Sequence, residues 1–130
     1  MDPKQLLVLG ASVLASSLGG RAVADEAQDT YVRVAEIEVD PVRLEVYKAA
    51  AKEVIENSVR LEPGVLALYS VSDKDNPAHV TVFEMYADRD AYEAHLETPH
   101  FKKYKVTTQD MVRSLKLRDT VPIALSAKAK

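Results

Sequence analysis

Residues 65–86 read VLALYSVSDKDNPAHVTVFEMY, and this stretch decides the fold. Two runs rich in β-branched and aromatic residues flank the polar segment Asp73–Pro77, whose composition is typical of a turn. The stretch therefore predicts a β-hairpin with strands at Val65–Ser72 and His79–Tyr86. Because a short turn joins antiparallel neighbours, a sheet built around this hairpin is expected to be antiparallel.

A strand and a helix are predicted before the hairpin. Residues Tyr31–Val39, YVRVAEIEV, are rich in β-branched residues and partly alternate in polarity, which predicts a strand. Asp40 and Pro41 form a typical helix start, with Asp as N-cap and Pro at the first helical position. Pro63 and Gly64 end the helix. Its inner face, at spacings of three and four, consists of Leu44, Tyr47, Ala51, Val54, Ser58 and Leu61.

Two short helical segments and a last strand are predicted after the hairpin. Asp88 caps the first segment, and Thr98-Pro99 ends it because the residue before a proline avoids the helical conformation. The same pair starts the second segment. The last strand is predicted at Leu117–Leu125, with Pro122 placing it at a sheet edge or a bend. The inner face of the second segment is predicted to consist of Phe101, Tyr104, Thr108, Met111, Val112 and Leu115.

The element order βαββαβ predicts an α+β fold of the ferredoxin-like type, with a four-stranded antiparallel sheet and both helical regions on one face. Apolar residues occur on both sheet faces, since Val32, Val34, Val80 and Val82 alternate with Ile37, Phe83 and Met85. The helices can cover only one face, so a second copy of the sheet is expected on the other, which predicts a homodimer. The alternative is a sheet with one open apolar face, although open faces are usually polar.

The first 24 residues differ in character from the rest. Residues 6–18, LLVLGASVLASSL, form an apolar run that suits a secretory signal and is short for a membrane span. Ala22-Val23-Ala24 is a small-x-small cleavage pattern, which predicts a mature domain at 25–130 with its core at 31–125. We therefore expect a periplasmic or secreted protein without stable membrane association after cleavage. The alternative is a retained anchor or a short N-terminal helix.

The composition is typical of one globular domain, with 130 residues, 47% hydrophobic and 28% charged. The absence of cysteine excludes disulfides, thiolate metal sites and a cysteine nucleophile. A formal net charge of −3 predicts no nucleic-acid binding. The sequence has no glycine-rich phosphate loop and no G-x-S-x-G motif, which argues against a serine hydrolase.

Several stretches together carry a resemblance to a known family. They are residues 58–65 (SVRLEPGV), Tyr69, residues 83–86 (FEMY), Ala91, Ala94-His95 and residues 98–101 (TPHF). In this order and spacing the chain resembles the antibiotic biosynthesis monooxygenase family over about residues 31–125. The resemblance implies the dimeric α+β barrel of the quinol monooxygenase-like branch. Tyr86 stands where many members carry tryptophan, and because the chain has no tryptophan the haem-degrading branch is not implied.

The resemblance implies cofactor-independent oxygenation of a small hydrophobic aromatic substrate, such as a hydroquinone or polyphenol, with O₂ as co-substrate. Dioxygen is a triplet, so the phenol must first be deprotonated to become a good one-electron donor. The protein then needs a base, an apolar pocket that excludes water, and donors for the developing oxyanion.

Three residues are candidates for the catalytic roles. His95 lies near the inward stripe of its helix, and the reference pKa of a histidine side chain, about 6.5, suits a general base; the alternative is a histidine packed at the helix–sheet seam. Glu84 is expected either to face a cavity or to form a structural ion pair, for example with Arg60. Tyr69 could orient a substrate oxygen or simply hydrogen-bond at a pocket rim.

Five further residues are expected to bind substrate: Asn57, Tyr86, His100, Phe101 and Met111. His95 and His100 could join Glu84 in a two-histidine, one-carboxylate metal set, but the proline between them makes this geometry poor, and we expect no metal. Two other functions stay open on the same fold: a non-catalytic dimer that binds a small hydrophobic ligand, and an isomerase of the same superfamily. The enzyme interpretation requires His95 and Glu84 to face one cavity.

Overall fold

The computed structural model describes residues 29–129. The expected signal segment 1–24 and its cleavage site lie outside these residues. None of the helices within 29–129 is long and apolar enough to cross a membrane.

Residues 29–129 form a single antiparallel sheet with the helices packed against it. The elements are β1 (Tyr31–Val39), a 3₁₀ turn (Pro41–Arg43), α1 (Leu44–Leu61), β2 (Val65–Ser72), β3 (His79–Tyr86), α2 (Arg89–Leu96), α3 (Pro99–Thr108) and β4 (Val112–Asp119). The strand order is β2-β3-β1-β4, and every neighbouring pair is antiparallel. The predicted α+β, ferredoxin-like fold is therefore confirmed.

The helical segments begin where the sequence predicts, because α2, α3 and the 3₁₀ turn that leads into α1 each start with a side chain that accepts a free backbone N–H; α1 itself has no side-chain cap. Asp40 accepts from the Val42 N–H at 3.1 Å. Asp88 accepts from Ala91 at 2.7 Å, and Thr98 accepts from Phe101 at 3.2 Å.

The predicted last strand at Leu117–Leu125 is wrong, because β4 covers Val112–Asp119. Helix α3 ends at Thr108, so Met111, Val112 and Leu115 do not extend its inner face. The spacing of these apolar residues fits a helix as well as a strand, and pairing with β1 decides between them: Leu115 lies opposite Ile37 and Leu117 opposite Ala35. Residues 120–129 carry no helix or strand.

The pairing register also corrects the expected grouping of the sheet residues. Val80 and Val82 lie on the helix-covered inner face together with Ile37, whereas Val32 and Val34 lie on the outer face together with Phe83 and Met85. The inward-facing residues have odd numbers in β1 and even numbers in β3. The alternation within each strand therefore cannot show which residues of the two strands share a face; only the pairing between the strands does. The inner core contains Ala35, Ile37, Val39, Tyr47, Ala51, Val80 and Met111.

Candidate active site

A cavity of about 490 Å³ lies between the inner face of the sheet and the helices, and every strand and helix contributes to its wall. Most of the wall is apolar, including Ile37, Val54 and Leu68. Its polar side chains include Arg33, Glu84, Tyr86, Tyr92 and His95. The cavity is therefore of the kind that encloses a small hydrophobic molecule and orients it through a few polar groups.

Glu84 faces this cavity from β3 and accepts a hydrogen bond from the Tyr86 hydroxyl at 2.7 Å. Tyr86 is fully buried. Burial, together with the negative charge of Glu84 and this hydrogen bond, raises the pKa of the Tyr86 phenol, so it remains a donor at neutral pH. The alternative ion pair with Arg60 does not form, because Arg60 is exposed near the end of α1 and donates to Asn57 at 2.7 Å.

Arg33 is a polar cavity residue that the sequence analysis missed. It lies directly across from Glu84 in the β1–β3 pairing, and its guanidinium lies 4.6 Å from the centre of the Tyr92 ring. Its buried Nε lies 3.3 Å from Asp119 Oδ1, an ion-pair contact without hydrogen-bond geometry. The sequence does contain one indication that Arg33 faces inward: residues alternate between the two faces of a strand, which places Arg33 on the same face as Ala35 and Ile37.

His95 reaches the cavity from α2 and is 5% exposed. Its ring centre lies 4.9 Å from that of Phe101 and 5.5 Å from that of Tyr86. His95 Nδ1 lies 2.9 Å from Glu62 Oε2, and His100 Nε2 lies 2.6 Å from the same oxygen. Glu62 belongs to the family-like stretch 58–65, but the sequence alone does not predict its role, since its contacts join segments distant in sequence.

The structure brings together four of the residues predicted from sequence: His95, Glu84, Tyr86 and Phe101 all line the cavity. His100 is linked to them through Glu62 and lines a separate cavity of about 220 Å³ between α1 and α3.

Three predicted residues lie elsewhere. Tyr69 is on the outer sheet face, 62% exposed and stacked on Phe83, because a register shift between Val65 and Ala67 turns it away from the helices. Asn57 accepts from Arg60 outside the cavity. Met111 is in the core, and it does not line the cavity either.

A second pair of phenols closes another part of the cavity wall. The Tyr47 and Tyr104 hydroxyls are 2.7 Å apart, and both residues line the cavity. Burial is the main cause that raises the pKa of each phenol, so both hydroxyls remain protonated at neutral pH. This part of the wall is uncharged but can still donate or accept a hydrogen bond.

A three-residue set of metal-ligand types does exist, but its carboxylate is Glu62 rather than Glu84. The ligand atoms of Glu62, His95 and His100 all lie within 4.8 Å of one another. Two histidines and one carboxylate can hold a divalent transition metal. In the arrangement observed here, both imidazole nitrogens are within hydrogen-bond distance of Glu62 Oε2, so the set is also satisfied without an ion.

Comparisons with known proteins agree with this architecture. A candidate antibiotic biosynthesis monooxygenase from Bacteroides thetaiotaomicron is 54% identical with a TM-score of 0.76, covering 80% of this chain and 99% of that one. A similar candidate from Nitrosomonas europaea is 25% identical with a TM-score of 0.70, covering 76% of this chain and 95% of that one.

A candidate monooxygenase from Lactobacillus acidophilus is 32% identical with a TM-score of 0.70, and the match covers 72% of this chain but only 44% of that one. No protein with a curated description matches the sequence. The family model described as antibiotic biosynthesis monooxygenase matches residues 30–106, more than half of the chain. The chain therefore belongs to the antibiotic biosynthesis monooxygenase family.

Proposed function

We propose that this protein catalyses the cofactor-independent monooxygenation of a quinol-like or polyphenolic small molecule, with O₂ as co-substrate. The observation that carries the proposal is the cavity itself, in which the imidazole of His95 and the Arg33–Glu84 pair share a largely apolar wall. This combination supplies a base, charged groups for orientation and a largely apolar wall that limits contact with water.

The first step is deprotonation of a substrate hydroxyl by His95. The phenolate transfers one electron to O₂, and the resulting radicals combine to form a peroxide on the ring carbon. His95 returns its proton to the peroxide anion. The C–H bond at the same carbon then breaks and its electron pair forms a C=O bond as the O–O bond cleaves, so that the leaving hydroxide and the ring proton form water and a hydroxyquinone remains. Hydroquinone and O₂ thus give hydroxyquinone and water, so that atoms and electrons balance without a further reductant.

The polar side chains around the cavity have complementary roles in this proposal. The Arg33 guanidinium stabilises the phenolate and the developing peroxide anion, since a buried positive charge acts strongly where water is excluded. The Glu84 carboxylate already accepts from Tyr86 and has capacity to accept from the second substrate hydroxyl. A substrate with two hydroxyls across an aromatic ring matches this pattern.

We also propose that the working unit is an exported homodimer. The outer sheet face carries apolar side chains that the helices do not cover, among them Tyr69 and Val71, each 62% exposed. A second copy of this face would remove them from water, in keeping with the dimeric barrel implied by the family resemblance. Export is inferred from the signal-like segment at residues 6–18 and its cleavage pattern.

Oxygen uptake by the chelator-treated protein on a panel of hydroquinones tests the catalytic proposal. We expect uptake with at least one member of the panel and a decrease of about 10²- to 10⁴-fold in His95→Gln, the range for loss of a general base. His79→Gln, checked by sedimentation to keep the wild-type oligomeric state, is the matched control, because His79 lies on the outer face and does not line the cavity.

Three results would contradict this proposal. Unchanged uptake in His95→Gln would remove the base, and loss of uptake on chelation would show that a metal is required. Saturable binding of quinols without oxygen consumption, with a chemically unchanged ligand, would favour the non-catalytic binding protein. Conversion of a ligand to its isomer without oxygen consumption would favour the isomerase.

A further inference from the structure

We propose that Glu62 and His100 are positioning residues for His95: Glu62 fixes the tautomer and orientation of the His95 ring, and His100 holds Glu62 in place. This inference rests on the proposed function only in taking His95 as the base. It assigns roles to a residue outside the cavity and to one that lines a different cavity.

The position of Glu62 follows from the end of α1. Glu62 is the C-cap residue, and its backbone N–H donates to the Ser58 carbonyl at 3.0 Å. Pro63 follows and cannot continue the helix. The backbone of Glu62 is thus held by the helix end, and its side chain, 12% exposed, lies between the two histidines.

One oxygen of Glu62 is shared by two donors. Oε2 accepts from His95 Nδ1 at 2.9 Å and from His100 Nε2 at 2.6 Å. The two histidine side chains are only 6% and 13% exposed, so water competes little for these contacts. Because His100 is in the first turn of α3 and His95 is in the last turn of α2, the carboxylate also joins the two helices.

The contact with Glu62 decides which nitrogen of His95 is available for chemistry. A neutral imidazole carries one proton, and the hydrogen bond made by one nitrogen determines the state of the other. With the proton on Nδ1 donated to Glu62, Nε2 has a free lone pair. Within residues 29–129, Nε2 has no hydrogen-bond partner, and its ring lines the cavity whereas Glu62 does not.

The charge of Glu62 adds a second contribution. When His95 takes a proton from the substrate, the ring becomes an imidazolium that donates to a carboxylate through Nδ1. A charge-assisted hydrogen bond of this kind is stronger than one between neutral groups. Glu62 therefore favours the state that forms during the reaction, and its removal is expected to lower kcat more than it changes KM.

Histidine side-chain ¹⁵N NMR of the full chain tests the positioning without any measurement of activity. We expect the neutral form of His95 in the wild type to carry its proton on Nδ1, and Glu62→Gln to increase the Nε2–H tautomer. A wild-type His95 protonated mainly on Nε2 would overturn the proposal. So would high-affinity Zn²⁺ binding by the chelator-treated protein that depends on Glu62, since the set would then be a metal site.

Kinetics give the second arm. We expect Glu62→Gln to lower kcat by about 10²-fold or more with less than a few-fold change in KM. His100→Gln should produce a smaller loss in the same direction. Glu53→Gln is the matched control, because Glu53 lies on α1 in an exposed pair with Lys103 and should leave kcat unchanged.

The outcomes separate this inference from the proposed function. If the wild type oxidises quinols and His95→Gln does not, a fully active Glu62→Gln overturns the positioning role alone. If the wild type consumes no oxygen with any quinol, the proposed function fails while the tautomer measurement still decides whether Glu62 orients His95. If Glu62→Gln does not fold, two other measurements can still contradict the inference. One is a wild-type His95 that carries its proton mainly on Nε2, and the other is a His100→Gln variant with unchanged kcat.

Discussion

At the scale of single residues, Arg33 and Glu84 bring opposite charges into one apolar cavity from adjacent strands. They lie directly across from each other in the β1–β3 pairing, so the sheet fixes their separation. Arg33 is further held against the Tyr92 ring, and Glu84 by the Tyr86 hydroxyl. Polar groups with such fixed surroundings can stabilise charge on a substrate without first having to reorganise.

Replacing Arg33 by lysine tests this preorganisation. Lysine keeps the positive charge but loses the planar group that stacks on Tyr92 and directs several donors. We expect Arg33→Lys to lower kcat/KM for quinol oxidation by about 10- to 100-fold, measured by oxygen uptake. Arg113→Lys should show no change, because Arg113 is exposed, pairs with the half-buried Asp40 and does not line the cavity. Equal activity of both variants would mean that Arg33 does not act on the substrate.

The Tyr86 phenol predicts a loss of stability at alkaline pH. Its pKa is raised in the folded state, mainly by burial and then by Glu84, so folding favours the protonated form. This contribution is complete below the unfolded-state pKa of about 10 and is lost as the pH rises above it, by about 1.4 kcal/mol per pH unit. Urea unfolding between pH 9 and 11 should show a shallower decline in Tyr86→Phe than in the wild type.

The control for this measurement is Tyr69→Phe at a protein concentration at which the chain is monomeric, because Tyr69 is then 62% exposed on the outer face. Its stability should decline as steeply as that of the wild type. At neutral pH, Tyr86→Phe should also lose about 1–3 kcal/mol, since Glu84 Oε1 loses its donor. Parallel declines for the wild type and Tyr86→Phe would show that the phenol ionises equally easily in the folded and unfolded states.

At the scale of elements, local signals were predictable and tertiary ones were not. Asp40-Pro41, Asp88 and Thr98-Pro99 place the helix starts because caps depend on neighbouring residues alone. The start of β4 depends on pairing with β1, and the direction of Tyr69 depends on the register shift in β2. Glu62 meets His95 only once α1, α2 and α3 are packed. The sequence therefore predicted polar cavity residues well where a regular strand or helix determines their direction. It did not predict residues, such as Glu62, whose role depends on contacts between distant segments.

The start of β2 packs tightly against α2 at Gly64. A Cβ added to Gly64 would lie 2.5 Å from the Cβ of Ala91, closer than any ordinary contact. We expect Gly64→Ala to displace α2, which carries His95, and to lower stability by about 1–3 kcal/mol. Thermal and urea unfolding measure the loss, and the quinol activity of the same sample reports on displacement of His95.

The double variant Gly64→Ala, Ala91→Gly removes the clashing atom from the other side. It should recover part of the lost stability, although glycine within a helix costs about 1 kcal/mol by itself. Ala91→Gly alone measures that cost. Two results would contradict this prediction: a Gly64→Ala variant as stable as the wild type, or a double variant no more stable than Gly64→Ala alone. Either would mean that the close contact between residues 64 and 91 does not restrict the side chain at position 64.

At the scale of the whole molecule, the two sheet faces have different surroundings. The helices pack on the inner face and line the cavity, whereas the outer face presents Phe83, Met85, Tyr69 and Val71 on one side of the sheet. The sequence predicted that both faces are apolar, but only the strand register shows which residues share a face. An outer face of this composition is unusual for a sheet face open to water, and the proposed homodimer would cover it with a second copy of itself.

A lysine at Val71 is the test of that assembly. Val71 is 62% exposed on the outer face, so the substitution should leave the fold intact and place a charge within the proposed dimer contact. Sedimentation equilibrium should show a dimer for the wild type and a shift of at least tenfold in Kd for Val71→Lys, because an unpaired buried charge is costly. Val42→Lys is the matched control, since Val42 is 89% exposed beside α1 and away from the sheet. A wild type that stays monomeric at high concentration, or a Val71→Lys variant that dimerises as tightly, would place the subunit contact elsewhere or remove it.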